Sequence, residues 1–159
     1  MKVLIVSDTH GKHENLRTIL RREKHIDRMI HLGDAEGYED MIAQMADCPL
    51  DIVQGNNDYF CQLEQEKEIE IGKYKAFLTH GHYYCVNMGL ADIMKEGKSR
   101  GADIVMFGHT HRPVIQYGDG IIALNPGSVS YPRQEGKQPS YIIMEIDRAG
   151  EAEFSIKYV

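Results

Sequence analysis

Cysteine is scarce in this chain. Cys48, Cys61 and Cys85 are three thiols, an odd number, and no two of them form a Cys-x-x-Cys pair. That pattern argues against a disulfide framework and a zinc ribbon and leaves reduced core or surface thiols. Long apolar runs are missing as well. The N-terminal "MKVLIVSD" has four consecutive apolar residues before Ser7, too few for a signal-peptide core and far too few for a membrane span. A cytoplasmic location without membrane association is expected. Positive charge is in deficit: 18 Lys and Arg stand against 24 Asp and Glu, a formal net charge of −6. This opposes stable binding to duplex nucleic acid, which relies on a basic face. Arg17, Arg21 and Lys24 could share a helix face, but Glu14 and Glu23 among them make it a solvated one. Low-complexity segments and repeats of fixed period are absent too.

What remains is ordinary globular composition, 42% hydrophobic and 26% charged over 159 residues. That length suits one domain, residues 1–159, with a core of its own. "KVLIV" is a short β-branched run too brief for a helix, and it stops at Ser7-Asp8-Thr9-His10-Gly11. Residues 13–24 put Leu16, Ile19 and Leu20 on one helical face, and "RMIHLGD" follows as a strand ending at Gly33-Asp34. A second helix is expected where Met41, Ile42 and Met45 share a face, before the strand "LDIV" gives way to Gly55-Asn56-Asn57-Asp58. "EKEIEIGKYKAFLTHGH" reads as a hairpin turning at Gly72-Lys73 and ending at His80-Gly81-His82. Met88, Leu90, Ile93 and Met94 have mixed helical spacing, with Gly101 as the stop before "ADIVMFGHTH". The remainder reads as β, with turns at Gly118-Asp119-Gly120 and near Ala149-Gly150, and with one buried face formed by Ala152, Phe154, Ile156 and Tyr158.

Strands separated by helices imply parallel pairing and hairpins imply antiparallel pairing. The predicted fold class is therefore α/β (α+β), two packed mixed sheets flanked by helices. In such sheets ligands gather at the carboxyl ends of strands. Asp8, His10, Asp34, Asn56, His80, His109 and His111 all follow predicted strands, which brings them to one edge of the fold. His31, inside "MIHLGD", reads as a packed histidine, and His13 and His25 are given no role. Seven donors are too many for one tetrahedral ion, and with no cysteine among them a structural zinc finger is excluded. Two divalent ions are the better reading, with Asp34 able to bridge. Imidazole and oxygen donors fit Mn, Fe, Co, Ni or Zn alike, and manganese is the leading expectation.

The ordered set Asp8-x-His10, Gly33-Asp34, Gly55-Asn56-x-Asp58, His80-Gly81-His82 and Gly108-His109-x-His111 resembles the calcineurin-like metallophosphoesterases over about residues 3–128. The small size and "ALNPGSVSYPR" look like their compact bacterial and archaeal branch, the YfcE/YsnB-like phosphodiesterases. The resemblance implies one metal on Asp8, His10 and His111, another on Asn56, His80 and His109, and Asp34 between them. It also implies a β-sandwich and hydrolysis of a small phosphodiester by in-line attack of a hydroxide bridging the two metals. In many relatives the asparagine ligand is followed by histidine. Here Asn57 stands in that place, able to donate a hydrogen bond to phosphate but not a proton. Esters with good leaving groups should be favoured, and His82 is the nearest alternative donor. Asp58, which can orient that histidine in relatives, loses its partner. Arg133 could contact a substrate phosphate or lie on the surface. The rivals are a catalytically weak scaffold resembling the retromer subunit Vps29 and a nuclease of the Mre11 or SbcD type. Retention of all seven donors favours the enzyme, and the short acidic chain disfavours the nuclease. Apolar residues in the β-rich tail leave room for a homo-oligomeric contact.

Overall fold

A computed structural model of the chain describes residues 1–118 and 120–159. The predicted turn at Gly118-Asp119-Gly120 includes Asp119, which lies outside the described residues. In chain order the elements are β1 (Lys2–Val6), α1 (Glu14–Arg22), β2 (Arg28–His31), α2 (Glu39–Ala46), β3 (Leu50–Ile52), β4 (Glu66–Ile71) and β5 (Tyr74–Thr79). A single 3-10 turn (His82–Tyr84) then leads to α3 (Ala91–Ser99), β6 (Ile104–Met106), β7 (Pro113–Gly118), β8 (Ile121–Pro126), β9 (Ser140–Ile146) and β10 (Ala152–Tyr158).

The strands form two five-stranded sheets, ordered β10-β9-β1-β2-β3 and β4-β5-β6-β8-β7. Both are mixed. β1-β2, β2-β3, β5-β6 and β6-β8 pair in parallel, and the hairpin strands pair antiparallel. Strand periodicity explains the layers. In β1, Val3 and Ile5 enter the core between the sheets with Ile30, Leu78, Met106 and Leu124, while Leu4 and Val6 point the other way, beneath Leu16 and Ile19 of α1 and Ile42 of α2. A strand covered on both faces must be apolar throughout, which is why "VLIV" runs without alternation. On the second sheet Phe77 and Val105 meet Ile93 of α3.

α3 meets its sheet closely at Gly97. A methyl group on Gly97 would lie 2.2 Å from Val105 Cγ2 and 2.8 Å from Ile121 Cδ1, so a residue that costs a helix interior about 1 kcal/mol relative to alanine buys contact with β6 and β8. Gly101, at φ +69°, stops the helix as expected. Its N–H donates to Lys98 O, and the next N–H, from Ala102, reaches back to Gly97 O.

Three expectations shift at element ends. Met41 is exposed on α2 while Ile42 carries the packing, and Met88 precedes α3 and is exposed. In β10, Ala152, Phe154 and Ile156 pack against the inter-sheet core, but Tyr158, at the strand's end, is exposed. None of the helices formed by the described residues is long and apolar enough to cross a membrane.

Candidate metal centre

Because β1, β2 and β3 run parallel in one sheet and β5 and β6 run parallel in the other, their carboxyl ends share an edge of the sandwich. Asp8 and His10 leave β1, Asp34 follows β2, Asn56 follows β3, His80 follows β5, and His109 and His111 follow β6. The backbone bends sharply there. Asp8, His10, Asp34, His109 and His111 all have φ between +45° and +66°, a left-handed conformation that costs a non-glycine residue roughly 1 to 3 kcal/mol and persists only where the surroundings enforce it. Glycines allow the strand exits to touch. A methyl on Gly55 would lie 2.2 Å from Asp34 Oδ1, and one on Gly108 would lie 2.1 Å from Ser7 Oγ.

The structure brings all seven predicted donors together. One atom from each of Asp8, His10, Asp34 and His111 lies within 4.8 Å of the others. His80 Nε2 is 3.5 Å from Asp34 Oδ2 and 3.1 Å from Asn56 Oδ1, and His109 Nδ1 is 2.8 Å from the same Asn56 oxygen. Asp34 therefore borders both groups. Asp8, Asp34 and His80 are buried, and so is His111.

The protonation states follow from the outer partners. His80 Nδ1 is 2.6 Å from Leu32 O, and His111 Nδ1 is 2.6 Å from Tyr131 O. A carbonyl only accepts, so each Nδ1 must carry the proton. His10 Nδ1 likewise faces the Glu36 carboxylate at 2.7 Å. In the neutral rings all three Nε2 atoms then hold lone pairs directed at the centre. His10 Nε2 and His111 Nε2 face each other at 3.3 Å, and His111 Nε2 lies 3.1 Å from Asp8 Oδ1, a buried oxygen without a hydrogen bond. Acceptors so close need a cation among them, a proton or a metal ion. Burial opposes the charge on Asp8, but the His111 contact and the charges of His80 and His111 hold its carboxyl below the ordinary value. Burial pulls His111 down, and the Asp8 contact more than reverses it. His109 is lowered, chiefly by burial and then by His80. The donor set fits divalent metal ions.

The other candidates take distinct positions. Asn57 grips Asp34, its backbone N–H donating to Oδ1 at 2.9 Å and its side-chain amide to Oδ2 at 2.7 Å. Asp58 is buried and turned to the backbone, accepting N–H bonds from Asp34, Gly55 and Glu36 at 2.6 to 2.8 Å. His82 is half-buried, its ring 5.5 Å from that of His80 and 4.0 Å from that of Tyr83. Arg133 is exposed on the rim of a cleft of about 650 Å³ that also includes His10, Glu36, His111, Tyr131 and Lys137. His31, as expected, is a packed residue: burial lowers its pKa to about 4, and it contacts Thr9 Oγ1 and the Gly33 N–H.

Sequence reasoning missed the outer partners. Glu36 and the carbonyls of Leu32 and Tyr131 carry no motif. Asn125 and Ser128, read only as part of a turn, pin the donor loops: the Asn125 amide donates to Gly108 O at 2.7 Å and to Thr110 Oγ1 at 3.0 Å, and Ser128 Oγ donates to Asp8 O at 2.8 Å.

The calcineurin-like phosphoesterase superfamily domain matches residues 1–149. The chain belongs to that family. This phosphoesterase is 35% identical over 148 residues to the probable metallophosphoesterase YsnB of Bacillus subtilis, an alignment covering 92% of this chain and 85% of that one. It is 32% identical over 145 residues to the phosphodiesterase MJ0936 of Methanocaldococcus jannaschii, covering 80% and 83%. Its fold is similar to that of the zinc complex of Vps29 from Entamoeba histolytica, with a TM-score of 0.79 at 22% identity and 99% of each chain covered. Membership of the family brings divalent metal ions with it, and the cluster described above is where this phosphoesterase would hold them.

Proposed function

We propose that this chain is a metal-dependent phosphodiesterase that hydrolyses a small phosphodiester at a pair of divalent ions. Asp8, His10 and His111 would hold one ion, and Asn56, His80 and His109 the other, with Asp34 shared. The observation that carries this reading is the set of three imidazoles fixed with their Nε2 lone pairs inward around two buried carboxylates. Bound there, two divalent ions, manganese foremost, would polarise a phosphoryl oxygen and acidify a water near neutral pH.

The chain's own groups do the positioning. Leu32 O, Tyr131 O and Glu36 hold the imidazoles in their working tautomers. Asn57 orients the Asp34 carboxylate, and Asp58 ties the second and third strand exits together. Arg133 on the cleft rim offers a bidentate contact to phosphate. Asn57 cannot supply a proton, so His82 beside His80 is the imidazole available to the leaving oxygen. A phosphodiester rather than a monoester agrees with the name of MJ0936. The Vps29-like scaffold reading draws on fold similarity alone, at 22% identity for the zinc complex.

The test is hydrolysis of bis-p-nitrophenyl phosphate by protein stripped with chelator and reloaded with Mn²⁺, beside Asp34→Asn. Turnover should return with metal in the parent and fall by at least about 100-fold in the variant. If protein with confirmed loading of Mn, Ni, Co or Zn gives no turnover, the catalytic reading fails and the scaffold takes its place.

A further inference from the structure

Beside the Asn56 and His82 end of the centre lies a second cleft, of about 430 Å³, within the range of about 300 to 1,000 Å³ typical of small-molecule sites. Its walls include Tyr59, Phe60, Tyr83, Gln54 and Gln65. The three rings are strongly exposed, Tyr59 at 71%, Tyr83 at 63% and Phe60 completely. Phe60 also has φ +63°, an outlier for a bulky side chain that buries nothing in return.

The backbone on either side of the first two rings is nevertheless tied down, and the third ring has side-chain partners. The Asp58 carbonyl accepts from Gln54 Nε2 at 3.0 Å and from Cys61 Sγ at 3.3 Å, and Gln54 N–H donates to Glu64 O at 2.8 Å, so the segment carrying Tyr59 and Phe60 is anchored on both sides. Tyr83 belongs to the 3-10 turn after His80, packs its ring on His82 at 4.0 Å and accepts from Gln65 Nε2 at 3.4 Å. The chain thus places three aromatic rings and two amides around a slot beside the proposed centre. Amides can read the polar edge of a planar ring while aromatic faces stack on it.

We propose that this cleft is a subsite for a planar aromatic arm of the substrate, of nucleobase type, held by stacking against Tyr59, Phe60 and Tyr83. The proposal rests on the phosphodiesterase reading and specifies which diesters that site takes. A second copy of the chain is a poorer occupant. Three rings of about 150 to 250 Å² each fall short of the roughly 800 Å² per partner of a standard stable interface, and the slot is concave.

The test compares the binding of adenosine 5′-monophosphate, ribose 5-phosphate and inorganic phosphate to Mn²⁺-loaded protein by calorimetry. The first two share the sugar phosphate and differ by the base. The nucleotide should bind at least about tenfold more tightly, the ordinary contribution of one base stacked on an aromatic ring. Phe60→Ala and Tyr83→Leu should bring the two ligands to within about threefold of each other and leave phosphate binding unchanged. Equal affinities in the parent, or a nucleotide preference that both variants retain, would overturn the subsite. So would a dimer in sedimentation that Phe60→Ala dissociates while nucleotide affinity is untouched, since the patch would then be a self-contact. Turnover of bis-p-nitrophenyl phosphate is measured in parallel. Nucleotide preference without turnover keeps the subsite and removes the phosphodiesterase, and turnover without preference does the reverse.

Discussion

Substituting alanine for Gly55 perturbs the centre without removing a donor. The backbone at Gly55 lies outside the left-handed region, so alanine escapes the strain of a positive φ there. The cost is steric. The new methyl would lie 2.2 Å from Asp34 Oδ1 and 2.3 Å from Asp34 N, more than an ångström inside ordinary contact at about 3.5 Å. Turning the Asp34 carboxylate away from Asn57 would relieve the first contact but not the second, which is to backbone, so the exits of β2 and β3 must separate and strain the three N–H bonds to Asp58. Overpacking of this kind costs about 1 to 3 kcal/mol. At roughly 2 to 4 °C per kcal/mol for a chain of this size, the melting temperature should fall by about 2 to 12 °C. Misplacing a reacting group by about 1 Å costs on the order of 100-fold in rate, so metal-dependent turnover should fall by about that factor while the protein stays folded at 25 °C. Calorimetric melting and hydrolysis of bis-p-nitrophenyl phosphate read the two effects. A Gly55→Ala protein with unchanged melting temperature and full turnover would refute the claim that the close approach of these two loops sets the Asp34 position.

Glu36 should act through His10. Glu36→Ala is expected to weaken manganese binding about 10- to 100-fold, the usual effect of losing an outer partner, with turnover recovering at saturating metal, and a manganese titration of activity checks both. Away from the centre, Glu23 gathers Lys2 at 2.6 Å, Lys157 at 3.0 Å and the Tyr141 hydroxyl at 2.9 Å. Burial opposes its charge, but these three partners outweigh it and lower the carboxyl from 4.5 to about 2. The folded state therefore gains about 3 kcal/mol above pH 4.5, lost as the pH falls from about 4.5 to about 2. Glu23→Gln should be less stable at pH 6 and approach the parent by pH 2, as followed by urea unfolding. A gap between the two that stays constant across that range would rule out the linkage.

The legible parts of the fold were those fixed by period and punctuation. "VLIV" and "IVM" read as short apolar strands, and Gly72-Lys73 and Gly101 marked turns that the chain makes where expected. The donors were legible because each sits at a strand exit, where a polar residue after an apolar run is conspicuous. Their supports were not. Leu32 and Tyr131 act through backbone carbonyls, which no side-chain pattern reports, and Glu36 is one acidic residue among 24 Asp and Glu. Asn57 looked like a group for the substrate, yet its amide grips Asp34, a contact between separate strand exits that one-dimensional spacing does not encode. Met41 and Met88 misled because methionine fits helical periodicity whether or not a neighbour covers it.

The donors divide by chemistry along the seam of the sandwich. Asp8, Asp34 and Asn56, the oxygen donors, hang from the first sheet with His10, while His80, His109 and His111, all imidazoles, hang from the second. An ion held there is a rivet between two plates that otherwise meet through interlocking side chains such as those of Ile5, Leu78 and Leu124 and through a few bonds across the seam, among them His80 Nδ1 to Leu32 O. Trimming one of those side chains, far from any donor, would loosen the packing between the plates, and the rivet is where a change in their spacing would be felt.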